Sequence, residues 1–244
     1  VYKRQKIYCE ARYGGYPDAM EEAWKLFRKT AYSSLYSYPR FTWQTVIPDQ
    51  RRISKIDLSD DYLQAIRLYA SCADELKSSE LYRNDLIEFV SYYVAAKAEN
   101  FYKQALKDDS ENRVLAAQRN LQQTVDLLMD VDRLLASHPL YRLEEWVELA
   151  RNSGTTLQEK DAYEANAKRL ITSWGGIQED YAARFWSGLI KDYYIPRIQL
   201  YFTKGRNKIR EWEEQWITSP WSNSTTPFDD PVEAALSLIE KTNK

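Results

Sequence analysis

Apolar residues recur at helical spacing along most of this chain, and the alternating runs that a half-buried strand requires are few. Ile7 to Tyr13 reads as a short helix, or the tail of one, stopped at Gly14-Gly15. Pro17-Asp18 opens the next helix, which places Ala23, Trp24, Phe27 and Ala31 on one face and ends near Ser34. Ser59 caps a helix with Leu63, Ile66, Ala70 and Ala73 on its inner face. Two long helices follow. Ser79 to Lys107 carries the stripe Leu86, Val90, Tyr93, Ala98, Phe101 and Ala105, and Ser110 to Ala136 carries Val114, Ala117, Leu121, Val125, Leu128 and Leu135. The short polar link Lys107-Asp108-Asp109 makes these two antiparallel neighbours.

His138-Pro139 interrupts the pattern, and Leu140 to Arg151 predicts a helix stopped at Gly154. Thr155 to Glu159 holds two overlapping capping boxes, Thr155 with Gln158 and Thr156 with Glu159, so a helix starts there. It leads into a tight Trp174-Gly175-Gly176 turn, and Tyr181 to Tyr194 predicts a second amphipathic helix facing it. Aromatic residues crowd both sides of that turn: Tyr163, Trp174, Tyr181, Phe185, Trp186, Tyr193 and Tyr194. Pro196 kinks or restarts the second helix, and a further one reaches about Ile217. Ser219 to Thr226 is loop. Asp230-Pro231-Val232-Glu233 combines an Asp cap, Pro at the first position and Glu at the third, which begins a last helix ending at Lys241. Tyr38 to Ser59 is the least regular stretch and reads as a long ordered loop, either functional or a plain crossover between helical layers. The expected fold is all-α: a multi-helix bundle of about eight to ten helices, forming one domain over residues 1–244 with no internal repeat.

Composition narrows the function classes. A chain of 244 residues with 44% apolar and 29% charged residues can bury a sizeable core and is not disordered. A net charge of -2 gives it no electrostatic reason to bind nucleic acid. No apolar run approaches the roughly 18 residues needed to span a bilayer. The chain begins at Val1 with no signal-peptide pattern, as a fragment or processed product would. Cys9 and Cys72 leave one disulfide open and provide no metal-ligand spacing. The 19 Tyr and 8 Trp are many for a plain helical scaffold and favour a face that stacks on ring-shaped partners.

Catalytic chemistry is hard to find. His138 is the only histidine, and nothing near it in sequence supplies the partners a general base needs. Neither cysteine has the surroundings of an activated thiol. Gly175-Gly176 lies in no phosphate-binding pattern, so no cofactor is expected. Glu144, Glu145 and Glu164 fall on solvated helix faces or helix starts, and Glu179 and Asp180 fall in a first turn, where negative charge suits the helix dipole. Asp85 sits on a helix expected to be buried and predicts a buried salt bridge. No residue is assigned a catalytic role. Trp174 is the residue of interest: an indole at a helix end beside paired glycines either faces a cleft or plugs the core between helices.

Several blocks carry a family resemblance: Ile171-Thr172-x-Trp174-Gly175, Asp180-Tyr181-Ala182, Trp186-Ser187-Gly188-Leu189 and Tyr193-Tyr194-x-Pro196-Arg197. Arg12-Tyr13-Gly14, Ala23-Trp24, Tyr82-Arg83-x-Asp85-Leu86, Asp132-x-x-Leu135, Glu145-Trp146-x-x-x-Ala150-Arg151 and Tyr163-x-x-Asn166-Ala167 fall in the same order. Over residues 5–203 or so the chain resembles the C-terminal helical domain of α-N-acetylglucosaminidases, the glycoside hydrolases of family 89, and 204–244 reads as a helical tail. The resemblance implies an upstream TIM-like barrel carrying both catalytic glutamates. It implies release of terminal α-linked N-acetylglucosamine with retention of configuration. This domain would complete the substrate pocket for an N-acetylglucosamine-terminated glycan and would be inactive alone. The positions that match the family's pocket are Trp174 and Tyr181, although the loop between them, Gly175 to Asp180, looks shorter than the family's. Arg40 and Trp43 are weaker candidates. A secreted, periplasmic or lysosomal address goes with the family. The competing reading is a stand-alone helical module that binds carbohydrate or peptide on an aromatic face.

Overall fold

A computed structural model describes residues 2–32, 41–45, 60–174, 182–221 and 224–242. Among these residues there are twelve α-helices and no β-strand. The helices are α1 (Tyr2–Tyr13), α2 (Asp18–Lys29), α3 (Thr42–Thr45), α4 (Asp60–Ala70), α5 (Ala73–Leu76), α6 (Glu80–Ser110), α7 (Val114–Leu135), α8 (Leu143–Asn152), α9 (Leu157–Leu170), α10 (Ile195–Lys204), α11 (Ile209–Thr218) and α12 (Pro231–Lys241). α3 and α5 are single turns. The others agree with the expected all-α bundle. Ser59 and its capping role lie outside the described residues.

The centre of the bundle is α6, which packs along α7 and also meets α1, α3, α4 and α12. Its periodicity predicts a single apolar stripe. The structure buries it on nearly every side, from Tyr82 and Leu86 through Val94, Ala95 and Ala96 to Tyr102 and Ala105. A helix surrounded in this way needs no polar face, which is why Ala95 and Ala96, off the expected stripe, are as buried as the stripe itself. α6 also runs three residues past Lys107. Asp108 keeps it helical by accepting from Gln104 Nε2 (2.8 Å), Arg113 Nε (3.0 Å) and Asn120 Nδ2 (2.8 Å), which ties the end of α6 to the start of α7. The reversal comes at Asn112, whose φ of 59° is a left-handed conformation that Asn tolerates. The tight turn and lengthwise packing make α6 and α7 antiparallel, as expected.

An aromatic cluster fills the space between α1, α2, α4 and α6. Phe27 stacks on Phe89 at 4.3 Å and Tyr69 on Tyr82 at 4.8 Å. The two tyrosines also exchange bonds with each other's backbone, Tyr82 Oη donating to Tyr69 O at 2.7 Å and Tyr69 Oη to Tyr82 O at 3.4 Å. Asp85 holds the end of α1 as the predicted salt bridge: Arg12 Nε and Nη2 reach its two oxygens at 2.8 and 2.5 Å, and Tyr13 Oη donates at 2.6 Å. Cys9 and Cys72 are buried free thiols, not a disulfide, and burial pushes both up to about 11.

Two expected helices change. The one placed at Leu140–Arg151 starts at Leu143, because Leu143 N donates to Ser187 O (3.0 Å) and the chain before it pairs with Ser187 instead of coiling. The one placed at Tyr181–Tyr194 is not helical over 182–188; helical structure begins only at Leu189. It opens with a π turn, Ile190–Tyr194, in which Ile195 N reaches back to Ile190 O. Pro196 follows at once and has no N–H to donate, so the wider turn comes just before the missing bond and the helix continues into α10.

Candidate functional site

α9 leads to Trp174. Thr156 and Glu159 form the predicted capping box, but Thr155 does not pair with Gln158. Glu159 Oε2 takes the N–H and hydroxyl of Thr155 and the N–H of Thr156. These bonds, the Thr155 hydroxyl foremost, hold its carboxyl down at about 2. At the other end, Thr172 Oγ1 donates to Lys168 O (2.7 Å) and Trp174 N to Arg169 O (2.9 Å), which wraps the chain back over the last turn. Ile171, Thr172 and Ser173 are buried. Trp174 is not: at 40% exposure it is the one exposed residue among the eight tryptophans. Its φ of 53° is left-handed, which costs a non-glycine residue about 1–2 kcal/mol. The Ser173 hydroxyl beside it is buried without a hydrogen-bond partner.

α9 is fixed from behind by buried charge. Glu164 accepts from Arg151 Nη1 at 2.6 Å and from Trp221 N at 2.5 Å, and lies 3.1 Å from Lys168 Nζ. Lys168, itself 1% exposed, also donates to Trp216 O (2.9 Å) and Ser219 O. Burial lowers the Lys168 pKa despite Glu164. Residues 184–186, bridged to α9 through Trp146, are held as firmly. Arg184 O accepts from Tyr194 Oη (2.9 Å), Phe185 packs on Phe41 and Trp43, and Trp186 packs on Trp146 at 6.1 Å. Trp146 Nε1 in turn donates to Ala167 O (2.9 Å), bridging this segment to the last turns of α9.

Of the two predicted pocket residues, Trp174 is therefore surface-facing at a fixed helix end. Tyr181 lies outside the described residues, as do Gly175, Gly176, Glu179, Asp180 and Arg40. Trp43 is core: it is fully buried and stacks on Phe41 at 4.9 Å. The described carboxylates singled out from sequence serve structure, Glu144 and Glu145 pairing with Arg142 and Glu164 with Arg151 and Lys168. His138 is buried, and its Nδ1 accepts from Leu140 N at 3.1 Å.

Three buried charges went unread in sequence. Glu99 accepts from Thr42 N (2.8 Å) and Oγ1, anchoring α3 on α6. Arg197 donates to Glu213 Oε1 (2.5 Å), Tyr193 Oη (2.9 Å) and Gln44 O. Asp132 accepts from four groups that include the start of the Leu189 helix. The available signal was a charge set among apolar positions of a buried helix, as Glu99 sits beside Ala98. A shallow depression of ≈ 530 Å³ lies between α1 and α2, lined by Tyr8, Trp24 and Tyr32 with Arg4 and Arg28. No cluster of His, Cys, Asp and Glu among the described residues could hold a metal ion, and no described helix is long and apolar enough to cross a membrane.

The fold and sequence match known proteins. The chain is 29% identical over 210 residues to the human (Homo sapiens) alpha-N-acetylglucosaminidase, covering 80% of this chain and 27% of that protein. A family 89 glycoside hydrolase from Clostridium perfringens, solved in complex with PUGNAc, superposes with a TM-score of 0.83 at 21% identity, over 98% of this chain and 31% of the other. The same fold, at a TM-score of 0.82 and 22% identity, occurs in that organism's enzyme in complex with its substrate GlcNAc-alpha-1,4-galactose. The chain thus spans about a third or less of the length of these relatives. The profile of the alpha-N-acetylglucosaminidase (NAGLU) C-terminal domain matches residues 5–241, running on through the tail where the motif resemblance thinned. With nearly its whole length matched, the chain belongs to the alpha-N-acetylglucosaminidase (NAGLU) C-terminal domain family.

Proposed function

We propose that this domain completes the sugar pocket of a retaining α-N-acetylglucosaminidase whose catalytic glutamates lie on an upstream domain. The substrate class is a glycan ending in α-linked N-acetylglucosamine. Trp174 offers its ring to the apolar C–H face of the sugar, and Tyr181 adds a second ring and a hydroxyl. The observation that carries the reading is Trp174 itself: a left-handed, half-exposed indole in a chain whose other tryptophans are buried or partly buried. Backbone strain of this kind persists where the surroundings enforce it, and it is concentrated at functional sites.

The test is Trp174→Ala in the complete polypeptide, with kinetics and thermal unfolding measured on the same protein. A pocket role predicts a loss of about 1–3 kcal/mol of transition-state binding, roughly 5- to 150-fold in kcat/KM, with the melting temperature nearly unchanged. A sharply lowered melting temperature with normal kcat/KM per folded molecule would return Trp174 to the core. The domain alone is expected to leave an aryl α-N-acetylglucosaminide intact, since retaining hydrolysis needs two carboxyls about 5–5.5 Å apart around one bond. Turnover by the purified domain that survives removal of contaminating glycosidases would refute this.

A further inference from the structure

Asp132 is fully buried in α7, and among the described residues no cation pairs with it. Its Oδ1 accepts from Gly188 N (2.8 Å) and Lys191 N (3.0 Å), and its Oδ2 from Ser187 Oγ (3.3 Å) and Thr225 Oγ1 (2.5 Å). The two amides belong to the start of the Leu189 helix, so the positive end of that helix stands in for a counterion. Ser187 is held again through its backbone, donating to Tyr141 O at 2.8 Å and accepting from Leu143 N at 3.0 Å. A buried carboxylate with four donors and no cation is an expensive way to join two helices; an apolar contact would do so without the desolvation cost. It suits a place where the position of a backbone segment has to be fixed.

That segment, 182–188, is the first described stretch after Trp174. Trp186, next to Ser187, packs on Trp146, and Trp146 is bonded to Ala167 on the last turns of α9. Residues 182–188 and the last turns of α9 are thereby tied together through Trp146, and Asp132 holds the 182–188 side. We propose that Asp132 is a positioning residue for the sugar pocket: by holding Ser187 and Gly188 it fixes the segment that Trp146 ties to α9, without touching substrate. This rests on the reading of Trp174 as pocket wall.

The experiment uses the complete polypeptide and an aryl α-N-acetylglucosaminide, with folding checked by near-UV circular dichroism. Asp132→Ala should raise KM about tenfold or more while kcat changes less than about threefold, the pattern of lost substrate binding. Ser187→Ala, which removes one side-chain bond and leaves the backbone bonds, should raise KM about two- to fourfold. Asp132→Asn can still accept both backbone N–H groups and donate to the hydroxyls, so it should return KM to within about threefold of the parent. If Asp132→Ala does not fold, Ser187→Ala decides. Trp174→Ala is measured alongside. A lowered kcat/KM there, with unchanged KM in the folded Asp132 and Ser187 variants, overturns the positioning role alone. An unchanged kcat/KM in Trp174→Ala overturns the pocket reading and this proposal with it.

Discussion

At the scale of single residues, the informative positions are charges that the fold takes out of water. Asp85 is the clearest, since Arg12 and Tyr13 converge on it from α1. Asp85→Ala would leave a guanidinium and a phenol without their acceptor. The expected loss is about 3 kcal/mol, the low end for a buried pair, because Arg12 keeps 32% of its side chain exposed. Denaturant titration measures it, and a loss below about 1 kcal/mol would show that the pair contributes little beyond a surface bridge. A salt bridge at Asp85 was legible in sequence as a charge on a buried helix, although its partners were not. The partners of Asp132, Glu99 and Arg197 were not. Each lies at a distance of 50 or more residues from at least one group it binds, as in Asp132 with Gly188 and Arg197 with Gln44, and helical periodicity carries no information about such pairings.

At the scale of elements, starts were easier to read than interiors. Ser79, Thr156 and Asp230 each cap the helix expected of them, Asp230 Oδ1 accepting from Val232 N at 2.9 Å and Glu233 N at 3.0 Å. Capping is local chemistry, settled within four residues. The stretch 182–188 has helical periodicity and yet is not helical, because Tyr141, Leu143 and Asp132 claim its backbone groups first. Gly188 marks the junction. Its φ is 81°, and an added Cβ would lie 3.2 Å from Leu143 Cβ and 3.3 Å from the Trp221 ring. Gly205, which ends α10 with a φ of 74°, has open space at the same point. Gly205→Ala should therefore cost only the left-handed penalty of about 1–2 kcal/mol. Gly188→Ala should cost about 2–4 kcal/mol, since crowding adds to that penalty. Equal melting temperatures for the two variants would count against the close packing at Gly188.

At the scale of the whole molecule, pH offers a test with one titrating histidine. Burial lowers the His138 pKa, so the unfolded chain takes up its proton first. The stability linked to His138 is then fully present above the unfolded value of about 6.5 and is lost as pH falls through it toward the lower folded value. Asp132 and Asp192, whose carboxyl pKa values burial raises, act in the opposite sense. The melting temperature should fall between pH 7.5 and 5.5, and His138→Gln, which keeps an acceptor for Leu140 N, should flatten that slope. Identical slopes in the two proteins would remove His138 as the cause.

The sequence by itself determined the all-α class, the antiparallel α6–α7 pair, the helix starts at Ser79, Thr156 and Asp230 and the family, because capping, periodicity and short motifs act over a few residues. It also singled out Trp174, since an indole beside paired glycines at a helix end is visible in the residues alone. Only the tertiary structure decided that Trp174 is exposed while Trp43 is core, that α6 is enclosed rather than striped, and that 182–188 is not helical. Those outcomes depend on which distant group reaches a backbone or a face first. In a bundle that is settled by how the helices pack around α6, which no single stretch of the chain encodes.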